Sequence, residues 1–286
     1  MPTIYFIYHH LAPGYQFIRY SSDSISAGSG KLAISSAKPR FNIAGNLQTM
    51  NPLKTLTAII CMATLFSCKK DLNGSGNVIT QQRTAGNFTA ITSKGDFRVV
   101  LTKGQTTAIS LTGEDNVLEK TVTDISNGKL TVRYADGIRT HKNKQVTVNV
   151  TMPGFTNLQL EGSGSIHATE AWSTTDLTAR INGSGNIELA VDGNNFSGEI
   201  NGSGRLVLNG GNFQASSFLV NGSGTVKAYP FTTNTADINI QGSGDCSIKV
   251  NNKLKVKING SGTVYYKGSP DTNVSVSGSG KVVKQN

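Results

Sequence analysis

Residues 181–187 read Ile-Asn-Gly-Ser-Gly-Asn-Ile, and their Gly-Ser-Gly core occurs six more times in the second half of the chain. The seven copies begin at Gly162, Gly183, Gly202, Gly222, Gly242, Gly260 and Gly278, and successive copies lie 18–21 residues apart. Self-similarity at a period near 20 is typical of a solenoid, in which each repeat packs only on its neighbours.

The residues around each copy alternate between apolar and polar. Apolar residues stand two positions before each first glycine, at Leu160, Ile181, Ile200, Val220, Ile240, Ile258 and Val276. They also stand two positions after each last glycine, at Ile166, Ile187, Leu206, Val226, Cys246, Val264 and Val282. Strict alternation predicts a half-buried strand on each side of the turn. A second, variable turn follows, as at Asp192-Gly193-Asn194-Asn195, so one coil is strand, Gly-Ser-Gly turn, strand, variable turn.

These coils predict an all-β, parallel β-solenoid with about 20 residues per coil. Stacking at about 4.8 Å places the apolar residues in inward columns and equivalent turn residues in ladders. The predicted turn ladder consists of Ser163, Ser184, Ser203, Ser223, Ser243, Ser261 and Ser279, with a second ladder of the preceding asparagines. The simpler interpretation is that serine fits a tight stacked turn; the alternative is that the hydroxyls face a glycan or an ordered water array.

Residues 77–152 lack the repeat but contain several alternating segments, among them 97–101, 129–133 and 145–150. They predict a β-rich part that begins the same sheets or caps the solenoid, with a turn at Asn127-Gly128 and a short helix within 115–122. Gly74-Ser75-Gly76 is interpreted as a displaced first repeat.

The stretch from Met50 to Cys68 has the features of a bacterial lipoprotein signal. One lysine precedes an apolar run, Leu56–Phe66, which is too short to span a bilayer, and Leu65-Phe66-Ser67-Cys68 resembles a lipobox. Cys68 is therefore predicted to be lipidated and to anchor the protein to a membrane; the alternative is a buried apolar strand. The expected organisation is a mis-assigned or disordered extension (1–49), the signal peptide (50–67), a tether (68–76), the β-rich part (77–152) and the repeat solenoid (153–286).

The segment Thr151-Met152-Pro153-Gly154-Phe155 leading into Gly162, followed by the Ile-Asn-Gly-Ser-Gly repeats, resembles the head GIN domain family of Bacteroidetes, also described as putative auto-transporter adhesins (DUF2807). The resemblance covers roughly residues 77–284. It implies an all-β, right-handed solenoid in lipoproteins or anchored envelope proteins, and it implies no catalytic residues.

Composition argues against several function classes. From Cys68 onward the chain has 22 basic and 16 acidic residues, a net charge of +6 that looks evenly spread, so no nucleic-acid partner is expected. After lipidation only Cys246 remains, as a buried apolar residue without a disulfide. The column after each turn contains Arg205 and Lys281, which is incompatible with a calcium ladder. His141 and His167 look like isolated surface residues, so no metal, cofactor or catalytic residue is expected.

The sequence therefore predicts a non-enzymatic, lipid-anchored protein of the cell envelope, placed in the outer membrane, that adheres to a glycan or a surface protein. Two alternatives stay open. One is a polysaccharide-active enzyme on a β-helix scaffold, which would need carboxylates brought together, whereas Glu188, Glu199 and Asp237 look scattered. The other is a structural envelope component that assembles edge to edge.

Overall fold

The computed structural model describes residues 70–140 and 145–286. The predictions that concern residues 1–69, including the signal peptide and Cys68, lie outside the described residues, and so does His141.

Within the described residues nearly all regular secondary structure is β-strand. The strands are β1 (Lys70–Leu72), β2 (Val78–Arg83), β3 (Ala90–Gly95), β4 (Arg98–Lys103), β5 (Ala108–Glu114), β6 (Thr121–Ser126), β7 (Lys129–Tyr134), β8 (Ile138–Thr140), β9 (Thr147–Met152), β10 (Asn157–Gly162), β11 (Ser165–Ser173), β12 (Asp176–Gly183), β13 (Asn186–Gly202), β14 (Arg205–Leu208), β15 (Asn212–Gly222), β16 (Thr225–Gly242), β17 (Asp245–Gly260), β18 (Thr263–Lys267), β19 (Asp271–Ser277) and β20 (Lys281–Lys284). One short helix, α1 (Asp115–Leu118), lies between β5 and β6.

The repeats stack as a β-solenoid, as predicted. Strands before the Gly-Ser-Gly turns pair in parallel along one face, for example β10 with β12 and β12 with the second half of β13. Strands after the turns pair in parallel along the other face, for example β11 with the first half of β13 and then β14. The long strands β13, β16 and β17 begin on one face and continue onto the other. They therefore join the two faces into one continuous hydrogen-bonded sheet of eighteen strands.

The register aligns equivalent residues of successive coils. Leu160 is paired with Ile181, Ile181 with Ile200, and Ile200 with Val220, and all four side chains are fully buried. The predicted inward columns are thereby confirmed for all coils except the last. Val276 of β19 is 40% exposed, because no other coil of the described residues packs over it.

The β-rich N-terminal part both begins and caps the stack. β3 and β4 form a coil beneath β10 and β11, and β7 and β9 form another beneath β3 and β4. Antiparallel strands close this end: β6 lies on β7, β5 on β9, and β2 on β5. Val117 and Leu118 of α1 are fully buried at the capped end. The predicted short helix is confirmed over four residues.

Two details differ from the sequence-based expectations. Gly74-Ser75-Gly76 is not a stacked repeat: the Ser75 N–H donates to Oδ1 of Asn116 and the Gly76 N–H to Oε2 of Glu114, at the start of α1. The first stacked turn is instead Gly95-Asp96-Phe97, since Gly95 is the register partner of Gly162. The second turn at 192–195 also does not interrupt the ladder, because β13 remains strand through it.

Candidate functional site

The glycines of the repeated turn are required by the packing of one coil on the next. Gly222 has φ +119°, and a Cβ there would lie 2.6 Å from the carbonyl oxygen of Gly202. A Cβ on Gly224 would lie 2.5 Å from Cγ2 of Ile200. The first glycine therefore provides a left-handed backbone and close approach, and the third leaves room for an inward isoleucine.

The serine between these glycines is not constrained in the same way. All seven serines of the ladder are exposed, and the N–H of Ser223, for example, donates to the carbonyl of Gly202 at 3.0 Å. In the part of the chain that the structure describes, none of the seven hydroxyls has a protein hydrogen-bond partner. In the first coil the middle position of the turn is occupied by Asp96 instead of serine. Its carboxylate accepts a hydrogen bond from the Tyr134 hydroxyl at 2.8 Å. The fold thus explains the glycines and leaves the serines unexplained. We call this row of exposed hydroxyls the serine ridge.

The asparagine ladder runs beside the serine ridge. Asn201 donates from Nδ2 to Oδ1 of Asn182 at 2.9 Å, and Asn221 donates to Oδ1 of Asn201 at 2.8 Å. The chain of amides ends there, because Oδ1 of Asn221 is buried without a hydrogen-bond partner. The asparagine ladder is confirmed over three coils, and it stiffens one flank of the ridge.

A shallow groove of about 690 Å³ runs along the stack at the other end of the first face. Its floor includes Leu177, Phe196 and Leu254, and its walls carry small polar side chains such as Ser197 and Ser217. The groove lies parallel to the serine ridge and spans six successive coils, so the molecule offers two elongated surfaces to an extended ligand.

Two carboxylates on the first face, Glu199 and Asp237, contact cations of neighbouring coils, and Glu199 also contacts an amide of its own coil. Glu199 accepts from Nε of Arg180 at 2.7 Å and from Nδ2 of Asn201 at 2.7 Å, and Asp237 lies 2.8 Å from Nζ of Lys255. The hydrogen bond from Asn201, together with Arg180, lowers the pKa of Glu199 despite partial burial.

The acids that line the groove do not converge. Asp176 lies three coils from Asp237, and Asp237 lies two coils from Asp271, about 14 and 10 Å at 4.8 Å per coil. Glycosidases need carboxyl groups about 5–9.5 Å apart. The spacing of the groove acids therefore lies at or beyond the upper end of the range for the acid pair of the polysaccharide-active alternative.

His167 is placed differently from the sequence-based expectation of an isolated surface residue. Its Nδ1 lies 3.2 Å from Oε2 of Glu188, and its Nε2 lies 3.0 Å from the hydroxyl of Ser165. Ser165, His167 and Glu188 are thus connected in the same order as the nucleophile, general base and orienting carboxylate of a catalytic triad. The strand β11 is paired on both sides, and the Ser165 N–H donates to the carbonyl of Phe97 at 2.8 Å. The Ser165 N–H is therefore already engaged and is not free to stabilise an oxyanion.

The sequence analysis missed this contact because Glu188 lies 21 residues away, one coil further on. The signal that could have found it is the repeat itself, which places His167 and Glu188 at equivalent positions of successive coils, where they are register partners.

Cys246 is fully buried, in agreement with its interpretation as an apolar core residue. Burial raises the pKa of its thiol to about 12, with a smaller contribution from the neighbouring Asp245. Over residues 70–140 and 145–286 there is no group of three His, Cys, Asp or Glu side chains placed to hold a metal ion. No helix in those same ranges has the length and apolar character needed to cross a membrane.

Comparisons with solved structures identify the same architecture elsewhere. A putative adhesin from Bacteroides fragilis is 21% identical, with a TM-score of 0.70, covering 75% of this chain and 100% of its own. A putative lipid binding protein from Parabacteroides distasonis is 24% identical, with a TM-score of 0.67 and coverages of 76% and 100%. A putative adhesin from Parabacteroides merdae is 19% identical, with a TM-score of 0.56 and coverages of 76% and 99%. At these identities the similarity shows the fold.

No curated protein matches the chain at a significant level. The family model described as putative auto-transporter adhesin, head GIN domain, matches residues 87–270, which include the first stacked turn at Gly95 and six of the seven Gly-Ser-Gly turns. That match spans more than half of the sequence. The chain therefore belongs to the head GIN domain family of putative auto-transporter adhesins.

Proposed function

We propose that this protein is a non-enzymatic, lipid-anchored adhesin of the cell envelope that presents its serine ridge to a glycan or a surface protein. The observation that carries the proposal is the row of seven exposed hydroxyls without protein partners, at positions where the fold requires only the flanking glycines. A rigid row repeating at about 4.8 Å matches a ligand that itself repeats, because every coil offers the same group in the same orientation. Family membership supports the adhesive role.

The test is binding of the purified chain to glycan and host-matrix arrays. A triple variant, S184A, S203A and S223A, removes three adjacent ridge hydroxyls and leaves the turn backbone unchanged. The comparison variant is S197A, S217A and S275A, which removes three exposed hydroxyls from the first face, two of them on the walls of the groove. The ridge triple should lose binding and the comparison variant should keep it. Equal binding by both variants would exclude the ridge, and loss in the comparison variant alone would assign binding to the groove.

The anchor is a separate part of the proposal and rests on the lipobox-like Leu65-Phe66-Ser67-Cys68. Metabolic labelling with a radioactive fatty acid should modify the chain expressed in a Bacteroidetes host and should not modify C68A. Export to the outer membrane should be lost with the label. A labelled C68A protein would assign the lipid to another residue.

A second candidate, edge-to-edge assembly, is favoured by one observation. β19 and β20 pair with β17 and β18 only on one side, and Val274 and Val276 of β19 are 45% and 40% exposed. An open parallel edge with apolar side chains is a template for pairing. Sedimentation velocity over a concentration series should show oligomers that V276K abolishes; a monomer at all concentrations would exclude this candidate.

A further inference from the structure

Charge is segregated along the solenoid, although the whole chain looks evenly charged. The coils from residue 157 to 224 contain two arginines, no lysine and six acidic residues, a net charge of −4. The coils from residue 225 to 286 contain eight lysines and three aspartates, with no arginine or glutamate, a net charge of +5. Counting the charges coil by coil already shows this segregation in the sequence, so the interpretation of the charge as evenly spread was wrong.

Most of these lysines have no intramolecular counter-charge. Lys255 pairs with Asp237, but in the described part of the chain Lys227, Lys249 and Lys267 have no carboxylate within ion-pair distance. In the earlier coils Lys94 pairs with Glu161 at 3.1 Å and Arg180 pairs with Glu199, whereas Arg205 has no ion pair among the described residues. The last coils are therefore distinguished by the number of unpaired cations that they bring together.

Three of the unpaired lysines lie on the second face with two tyrosines. Lys249 is the direct register partner of Lys267, a like-charge neighbour that costs stability. The ammonium of Lys267 lies 5.4 Å from the centroid of the Tyr229 ring. Burial, then the neighbouring Tyr265, raises the pKa of Tyr229, so its hydroxyl stays a neutral hydrogen-bonding group at physiological pH. We call Lys227, Tyr229, Lys249, Tyr265 and Lys267 the basic strip.

A depression of about 390 Å³ adjoins the strip. Lys227 and Tyr229 belong to its lining, together with the amide of Asn209, the hydroxyl of Ser247 and the apolar Val207 and Pro230. An aromatic ring accepts the C–H face of a sugar, and the ammonium group pairs with a carboxylate. Asn209 donates from Nδ2 to Glu188, and the Ser247 hydroxyl donates to the carbonyl of Val226, so the oxygens of these two side chains act as acceptors for sugar hydroxyls. A shallow site with a few placed polar groups is the usual form of a small-ligand subsite.

We propose that the basic strip and the adjoining depression bind an acidic polysaccharide, in which carboxylate-bearing sugars contact the lysines and a sugar ring packs on Tyr229. A nucleic acid fits less well, because its continuous phosphate backbone needs a long positive groove, whereas the coils directly before the strip carry net negative charge. A polysaccharide needs only a few charge contacts among neutral hydrogen bonds. This inference goes beyond the adhesive serine ridge, since it assigns a ligand class to a different face.

The experiment measures binding of the purified full chain to polygalacturonate by calorimetry at 50 and 300 mM NaCl. Fully methyl-esterified polygalacturonate is the neutral comparison, and a 20-base-pair DNA duplex and phosphatidylglycerol vesicles are the other polyanions. Three variants are compared: K249Q with K267Q, Y229A, and the charge-matched control K120Q with K129Q, whose lysines are exposed on the N-terminal part.

The expected result is binding to polygalacturonate that weakens with salt and is absent for the esterified polymer. Affinity should fall at least about tenfold in K249Q with K267Q and in Y229A, and stay within about twofold in the control. The proposal would be overturned if the chain did not bind polygalacturonate, if the control variant lost as much affinity, or if Y229A kept its affinity. Tighter binding to the duplex or to the vesicles than to polygalacturonate would also overturn it. S184A, S203A and S223A should bind polygalacturonate normally, so failure of the serine ridge and failure of the basic strip are distinguishable.

Discussion

Nδ2 of Asn201 lies 2.9 Å from Oδ1 of Asn182, one coil away and 19 residues earlier in the chain. The same amide donates to Glu199 at 2.7 Å, and its oxygen accepts from Asn221. This side chain therefore connects three coils along the flank of the serine ridge.

Replacing Asn201 by alanine should lower the free energy of unfolding by about 1–2 kcal/mol, because the amide of Asn221 loses its acceptor and Glu199 loses a donor in a half-buried position. Urea unfolding followed by circular dichroism measures the change. The matched control is N259A, in the exposed continuation of the same row, where we expect a change within about 0.5 kcal/mol. Equal effects would mean that the amide chain does not stabilise the stack.

The repeated turn gives a second comparison, between neighbouring residues. G222A should cost about 1–3 kcal/mol from the left-handed backbone alone, and more because the Cβ would meet the Gly202 carbonyl at 2.6 Å. S223A should be neutral within about 0.5 kcal/mol, because that side chain is exposed and unpaired. Thermal unfolding of both variants measures this. A destabilised S223A would show that serine is part of the turn rather than free to bind a ligand.

Much of the fold is predictable from sequence, because the repeat exposes the register directly. The spacing of Gly162, Gly183 and Gly202 is enough to align the coils, and the alternation around them assigns inward and outward side chains. The turn at Gly95 was not predictable in this way. Gly95 lies 67 residues before Gly162, far from the 18–21-residue spacing of the repeat. In addition, the coil of β7 and β9 packs beneath the coil of β3 and β4, although it comes later in the chain.

The candidate site was predictable only in part. The serine ladder follows from the repeat, but its lack of intramolecular partners is a matter of side-chain geometry. The contact between His167 and Glu188 and the absence of counter-charges around Lys249 depend on which outward residues meet across coils, and small bulges such as the one between Ala228 and Thr232 shift that register.

The buried thiol gives a prediction about reactivity. With a pKa of about 12 and no exposed surface, Cys246 should resist alkylation by iodoacetamide at pH 8 in the folded protein and react fully in 6 M guanidinium. Since the unfolded thiol ionises near pH 9 and the folded one does not until about pH 12, this group contributes less stability as pH rises from 9 to 12. Mass spectrometry of the peptide containing Cys246 checks the first point; C246A is the control for the second.

Glu199 gives a pH dependence of the opposite sign. Its folded pKa is lowered, so its contribution to stability is complete above the unfolded value of about 4.5 and is lost as pH falls through the lower folded value. Unfolding free energies measured between pH 6 and pH 3 should decline less steeply in E199Q than in the wild type. The difference should be about 0.2–1 kcal/mol, because Arg180 and Glu199 are both partly exposed to solvent. An identical slope in both proteins would contradict the assignment.

The two ends of the stack should differ in stability. Leu118 of α1 is fully buried under the antiparallel cap, so L118A should cost about 2–5 kcal/mol, whereas V276A on the open last coil, already 40% exposed, should cost less than about 1 kcal/mol. Because each coil contacts only its neighbours, an uncapped end frays first. Hydrogen exchange should therefore be faster in β19 and β20 than in β7 and β9. Equal protection from hydrogen exchange at both ends would mean that a second copy of the chain covers the last coil. In that case V276K, which disrupts the contact, should restore fast exchange in β19.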